Sequence, residues 1–311
     1  MIDILTGRSE EDKAETAKNL KSLVHEEVAY LYHSRMPYYD DSALVEYYKG
    51  GINAYTIDIS TGQVVEVIPL SIEENQQSIL SDEELEKKAK DYISSINNIA
   101  DIATLTLSIG KKGNNIFFRW EDLSKKLSGG MNPFIQIGYS STGTFLNLVN
   151  TLPFAKNTAI TMSSTDILSI DQFNEIYANG GSYWSATGPS MNTMNNAGYC
   201  YIAGWCNPKN FYYKSGVSSY PSSGMWIPNS NSDVQASAFI PSTHATGDAT
   251  YYVYITGYDP DSWDINQYDY YNTWVSITQE GSLPDINEIK MMNYGDSGYE
   301  FAWDETWVYD S

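Results

Sequence analysis

Histidines, clustered carboxylates and an abundance of aromatic rings are the side chains of this 311-residue chain that have chemistry to offer. Two of its three histidines, His25 and His33, flank the run Glu-Glu-Val-Ala-Tyr-Leu-Tyr. A zinc-protease helix needs His-Glu-x-x-His, which sets two imidazoles on one face a turn apart, and Ala29 stands where the second histidine belongs. His244 lies in Pro241-Ser-Thr-His-Ala-Thr and is read as a loop residue at a strand end. No Gly-x-Ser-x-Gly elbow offers it an activated serine. Paired acids for glycoside hydrolysis need a fixed separation across a cleft, which spacing along a chain does not define. No catalytic residue is assigned, and the chain is read as a non-enzyme.

Three acids crowd together in Asp259-Pro-Asp261-Ser-Trp-Asp264. Hard oxygen ligands in one loop suit calcium, so Asp259, Asp261 and Asp264 form the candidate metal set and calcium the one candidate cofactor. The run lacks the bend glycine and closing glutamate of an EF-hand, and a solvated acidic loop is its plainer reading. Cys200 and Cys206 close the string Cys-Tyr-Ile-Ala-Gly-Trp-Cys. Two readings stand open, a short-loop disulfide in an oxidising compartment or a pair of buried thiols.

Aromatics give the strongest binding signal. A tyrosine or tryptophan ring offers a flat apolar surface beside a polar tip, which suits the face of a sugar. Tyr183, Trp184, Trp205, Tyr212, Tyr213, Trp226, Tyr258, Trp263 and Tyr271 fall in apparent loops or strand ends and are the candidate carbohydrate contacts. Packing is the commoner fate of any single ring, and Trp274 and Trp303, inside apparent strands, are read as core.

Composition narrows the partners. The net charge is −21, from 39 Asp+Glu against 18 Lys+Arg, and only four lysines and no arginine follow residue 155. Such a surface repels nucleic-acid phosphates and anionic lipid headgroups. No stretch approaches the ~20 apolar residues of a membrane span. Met1-Ile-Asp-Ile-Leu-Thr-Gly is too short and polar for a secretory signal, so an exported protein would be expected here in mature form.

These side chains must be held by elements that the pattern predicts. Leu20, Leu23, Val24, Val28 and Leu31 recur at helical spacing and predict a helix over 10–33, stopped at Met36-Pro37. Residues 52–59 and 63–70 alternate around Ser60-Thr-Gly62 as a hairpin. Ser81-Asp-Glu-Glu84 is a capping box that opens a helix over 82–95. Two further hairpins span 105–121 and 134–149. The strings Leu80-Ser-Asp-Glu-Glu-Leu-Glu-Lys-Lys-Ala, Gly113-Asn-Asn-Ile-Phe-Phe-Arg-Trp-Glu and Gly51-Ile-Asn-Ala-Tyr with Asp58-Ile-Ser-Thr-Gly resemble the PepSY superfamily, particularly its YcdB/YcdC-type repeats, over residues 40–150. The resemblance implies a small α+β module of secreted or membrane-anchored bacterial proteins, some of which are thought to restrain peptidases.

Residues 155–204 are polar and aromatic and read as a connecting region, with a short helix over 167–177. Beyond them, short strands with turn residues between recur over 236–309, the pattern of a β-sandwich. Ala249-Thr-Tyr-Tyr-Val-Tyr, Ile265-Asn-Gln267, Trp274-Val-Ser-Ile277, Ile289-Lys-Met-Met292 and Phe301-Ala-Trp-Asp-Glu-Thr-Trp-Val308 follow the strand order of the golvesin/Xly carbohydrate-binding-like domain, which the region resembles. Tyrosines and acids stand where that family often has threonine and glycine.

The expected architecture is an α+β PepSY-like module with an N-terminal helix (1–154), the connecting region (155–204) and an all-β, jelly-roll-like sandwich (205–311). The expected role is a non-catalytic extracellular or cell-surface protein that binds a polysaccharide or cell-wall polymer. The alternatives are a subunit of a surface layer, spore coat or fibre that pairs with copies of itself, and a peptidase-inhibitory module.

Overall fold

The computed structural model describes residues 8–36, 39, 43–72, 78–96, 102–127 and 131–155, and then 182–187, 191–193, 205–207, 211–214, 222–228, 233–278, 283–284, 286–293, 299–303 and 306–310. Packing divides the chain into Met1–Asn157 and Thr158–Ser311, and each unit is described by itself. Among the described residues the fold is mostly antiparallel β, with two α-helices, both in the first unit.

The first unit holds α1 (Glu10–Val24), β1 (Ala29–Arg35), β2 (Leu44–Lys49), β3 (Asn53–Asp58), β4 (Val64–Pro69), α2 (Asp82–Ile96), β5 (Thr106–Lys112), β6 (Asn115–Glu121), β7 (Phe134–Ser140) and β8 (Phe145–Asn150). Its eight strands form one sheet in the order β1-β2-β3-β4-β8-β7-β6-β5. The order is palindromic. Each half is a helix followed by a four-stranded meander, and the last strands of the two halves meet at the centre, where Glu66 pairs with Val149 and Val67 with Leu148.

The helix expected over 10–33 ends at Val24 instead. Ser9 caps its start, accepting from the Asp12 amide at 3.2 Å, and Glu10, Glu11 and Asp12 suit the positive end of the helix dipole. His25 ends it in the left-handed region at φ 58°, its N–H returning to Lys21 O. Val28 and Leu31, which kept the helical spacing, belong to the approach to β1 and to β1 itself. Aromatic residues there favour a pleated neighbour over another helical turn, and the Tyr32 and Tyr47 rings stack across β1 and β2 with centroids 4.4 Å apart. The capping box is formed as read: Glu84 N donates to Ser81 Oγ at 3.2 Å and Ser81 N to Glu84 Oε2 at 2.8 Å. Asp58 locks the first hairpin by accepting from Ser60 Oγ, Thr61 N and Thr61 Oγ1, while Gly62 supplies φ 69°.

Both helices pack on one sheet face. Leu85, Ala89 and Ile93 of α2 share a core with Phe118, Ile137 and Leu148. On the opposite face one register row crosses all eight strands: Ser108, Arg119, Gln136, Val149, Glu66, Thr56, Tyr47 and Tyr32.

The second unit holds β9 (Ser182–Thr187), β10 (Met191–Thr193), β11 (Trp205–Asn207), β12 (Phe211–Lys214), β13 (Ser222–Ile227), β14 (Asp233–Ile240), β15 (Asp248–Ile255), β16 (Asp261–Asn266), β17 (Thr273–Ser276), β18 (Leu283–Pro284), β19 (Ile286–Asn293), β20 (Glu300–Trp303) and β21 (Thr306–Asp310). They form a five-stranded sheet β16-β15-β19-β13-β9, a sheet β11-β21-β14-β17 with β18 beside β14, and a sheet β10-β12-β20. The stretch read as a connection therefore supplies two strands, since β9 pairs with β13 and β10 with β12. The helix expected over 167–177 lies outside the described residues. The core of this β-sandwich joins Tyr251, Val253, Ile289 and Met291 of the five-stranded sheet to Ala236, Ala238, Trp303 and Val308 of the other two.

Candidate functional site

The five-stranded sheet has one face in the core, and the pleat of β15 decides which residues leave it. Ala249, Tyr251, Val253 and Ile255 are buried, while Thr250, Tyr252 and Tyr254 between them are half-buried and face outward. Ladder register extends that outer face. Tyr252 lies opposite Ser262 on β16 and Lys290 on β19, and Lys290 lies opposite Met225 on β13. One row away Thr250 stands between Asp264 and Met292. In the other direction Tyr254 stands opposite Glu288. Alternate residues of a strand are ~7 Å apart, so Tyr252 and Tyr254 make a two-ring strip along β15.

The groups around the strip are polar and mutually tuned. Burial raises the Tyr254 hydroxyl above its ordinary range, and the charges of Glu288 and Tyr252 add to this, so the phenol stays a neutral donor. Burial also raises Glu288, with Lys290 opposing the rise. Thr250 Oγ1 donates to Asp264 Oδ1 at 2.6 Å across β15 and β16. Past Tyr254 the hairpin turns through Gly257 (φ 82°) and carries Tyr258, 71% exposed, beside exposed Asp259 and Asp261. The arrangement offers flat rings flanked by carboxylates, hydroxyls and one ammonium.

Two other polar groups stand apart from this face. His244 (φ 60°) sets Nδ1 2.6 Å from Glu300 Oε2, and Thr246 pairs with the Glu300 backbone. The neighbouring loop is tied in by Ser242 N donating to Asn272 Oδ1 at 2.8 Å, with Asn272 at φ 45°. This network ties the loop after β14 to the start of β20. In the first unit, burial pushes the Glu66 carboxyl up to about 7, with Thr56 Oγ1 donating to it at 3.2 Å.

The candidate residues read from the sequence are dispersed. Trp226 is no surface ring. It is 1% exposed in the sandwich core, because register pairs it with Ile289 on the inward face of β19, and no sugar reaches it. Trp263 also turns inward and packs partly buried against the core. Tyr271 is half-buried, in the connection before β17. Tyr258 is exposed at the hairpin tip, as a binding ring must be. Tyr183, Trp184, Trp205, Tyr212 and Tyr213 lie on β9, β11 and β12 by backbone, and their side chains lie outside the described residues. Cys206 is on β11 in the same condition, and Cys200 lies wholly outside.

The acidic set is divided by the pleat. Asp264 follows Ser262 on the outer face with Thr250 bound to it, whereas Asp261 is in line with inward Trp263 and Ile265. Among the described residues no three His, Cys, Asp or Glu side chains gather to hold a metal. Tyr252 and Tyr254 were missed, although their signal was present: strict alternation from Ala249 to Ile255 already sends both to the face opposite the apolar residues.

No family model matches the chain, and no curated protein matches it. Among solved structures it is similar to the C-terminal domain of Bacillus megaterium YpeB, at 13% identity over 71% of this chain and 92% of that one, with a TM-score of 0.29. It is also similar to the exo-β-1,3-galactanase of Phanerochaete chrysosporium bound to galactose, at 12% identity over 91% and 81% of the two chains, with a TM-score of 0.25. Superpositions this loose carry no argument about what the chain does.

Proposed function

We propose that this chain is a non-catalytic, extracellular or cell-surface binding protein whose second unit holds an extended polysaccharide along the outer face of the sheet β16-β15-β19-β13-β9. The observation that carries the reading is the strip of Tyr252 and Tyr254 between Lys290, Glu288 and Ser262, with Tyr258 on the hairpin that follows it along the chain. Rings on a regular strand are pre-organised, so little side-chain freedom is lost when a polymer lies across them. Hydroxyls and charges beside the rings supply directional contacts that apolar stacking lacks.

Self-assembly through strand edges is the weaker reading. The edge strand β16 carries Asp261 and Asp264, and charges on an edge oppose addition of another strand. No helix among the described residues is long and apolar enough to cross a membrane.

A pelleting assay tests the proposal. Protein is mixed with insoluble polysaccharides and with peptidoglycan, and compared with the Tyr252→Ala/Tyr254→Ala double variant. Retention of the parent and release of a folded double variant supports the reading. Equal retention of both, or retention of neither on any polymer, refutes it.

A further inference from the structure

We infer that the polymer this face accepts is an uncharged glycan rather than an anionic wall polymer. The inference rests on the binding reading above and narrows it to a ligand class.

The local charges decide the matter, because at physiological ionic strength charges beyond ~8 Å are largely screened. Within the outer face the described charged groups are Lys290 and Glu288 on β19, Asp264 on β16 and Asp248 at the start of β15. Lys290 and Glu288 are alternate residues of β19, so each partly neutralises the other's field on the same strip. What remains is acidic, and the hairpin beyond Tyr254 adds the exposed Asp259. The unit as a whole offers little relief, since four lysines and no arginine follow residue 155. A polymer with a carboxylate or phosphate on every repeat would place each new charge against this field, and one ammonium already opposed by Glu288 does not offset it.

A neutral sugar meets the same groups differently. Its hydroxyls donate to Glu288 and Asp264 in charge-assisted hydrogen bonds and accept from Lys290, while its C–H faces lie on Tyr252 and Tyr254. Thr250 already holds one Asp264 oxygen at 2.6 Å, which fixes that carboxylate as an acceptor. In this role Lys290 acts as a hydrogen-bond donor, and its charge is incidental.

The test uses the full chain in pull-downs on three insoluble or bead-linked probes: β-glucan (neutral), polygalacturonate (anionic) and chitosan (cationic), each at low and high salt. Lys290→Gln, which keeps a donor and removes the charge, is run beside the parent, with circular dichroism to establish folding. The expected result is retention on the neutral probe that changes by less than about three-fold with salt, in the parent and in Lys290→Gln alike even where loss of the lysine contact weakens retention itself, and none on polygalacturonate. Retention on polygalacturonate that Lys290→Gln abolishes overturns the inference and leaves the binding reading standing. Retention on chitosan alone, released by salt, also overturns it, because that is attraction to the net charge of the chain. No retention on any probe overturns both.

Discussion

The side-chain amide of Gln267 and the peptide of Ala302 exchange two hydrogen bonds, Nε2 to Ala302 O at 2.8 Å and Ala302 N to Oε1 at 2.9 Å. A side chain thus does what a neighbouring strand would do for the peptide at the middle of β20, the last strand of its sheet. Nε2 also donates to Tyr251 Oη at 2.9 Å on β15, so one buried amide joins two sheets of the sandwich. Burial raises the Tyr251 hydroxyl, which stays neutral there.

Replacing Gln267 with leucine should therefore cost more than its volume suggests. The Ala302 N–H and C=O would be left buried without a partner, at about 1–3 kcal/mol for each such group. The expected loss is about 3 kcal/mol in urea unfolding of the second unit, with the N-terminal unit unaffected. A loss under about 1 kcal/mol would show that the exchange contributes little.

Much of this architecture can be read along the chain. The hairpins around Ser60-Thr-Gly62 and Ser140-Ser-Thr-Gly143, the Ser81–Glu84 capping box and the strands after Ala236 are local patterns, fixed by residues within a few positions of one another. What failed was decided at longer range. Val28 and Leu31 keep helical spacing, but His25 has already closed the helix and β2 supplies a partner for the following residues. Trp226 faces the core because β13 pairs with β19 in one register, with a bulge at Met225/Trp226 on the β9 side, and no local pattern encodes that pairing. Asp261 and Asp264 look clustered as a loop and are parted as a strand.

Arg8 tests how the N-terminal segment is held. Its Nε donates to Glu46 Oε1 at 3.1 Å and its Nη2 to both Glu46 Oε2 and Thr16 Oγ1, while Tyr48 Oη donates to the same carboxylate at 2.8 Å. The Glu46 side chain is 0% exposed and that of Arg8 26%. Arg8→Ala should cost about 3 kcal/mol, toward the low end for a broken buried pair because Arg8 is partly solvated. Adding Glu46→Gln should return part of the loss by removing the stranded charge. If the double variant is no more stable than Arg8→Ala alone, the ion pair is not what holds the segment.

Glu66 gives a pH signature. Its carboxyl is pushed by burial from 4.5 up to about 7 in the folded chain. The folded state holds this proton more tightly than the unfolded chain does. The stability it contributes is present in full below the unfolded value and is lost as pH rises through the folded one. Against Glu66→Gln, which does not titrate, the parent should lose about 1–3 kcal/mol between about pH 4.5 and pH 8, reduced from the full shift because the residue keeps some exposure. Parallel stability profiles for the two proteins across that window would contradict the assignment.

Trp226 and Tyr258 look alike in the sequence as loop-side aromatics, and the structure parts them, one 1% and the other 71% exposed. Substitution should separate stability from recognition. Trp226→Ala removes a ring from the sandwich core and should cost about 3–5 kcal/mol, with any loss of polymer retention following from unfolding. Tyr258→Ala touches no core and should change stability by less than about 0.5 kcal/mol. It is the exposed ring of the hairpin that follows the Tyr252–Tyr254 strip along the chain, and if it extends the binding face, polysaccharide affinity should fall by roughly three- to ten-fold, the equivalent of about 0.7–1.4 kcal/mol. Thermal unfolding and pelleting on one neutral polymer, run on both variants, check the two expectations together. Unchanged retention for Tyr258→Ala would end the strip at Tyr254. Retention that tracks melting temperature across all variants would remove the strip from recognition altogether.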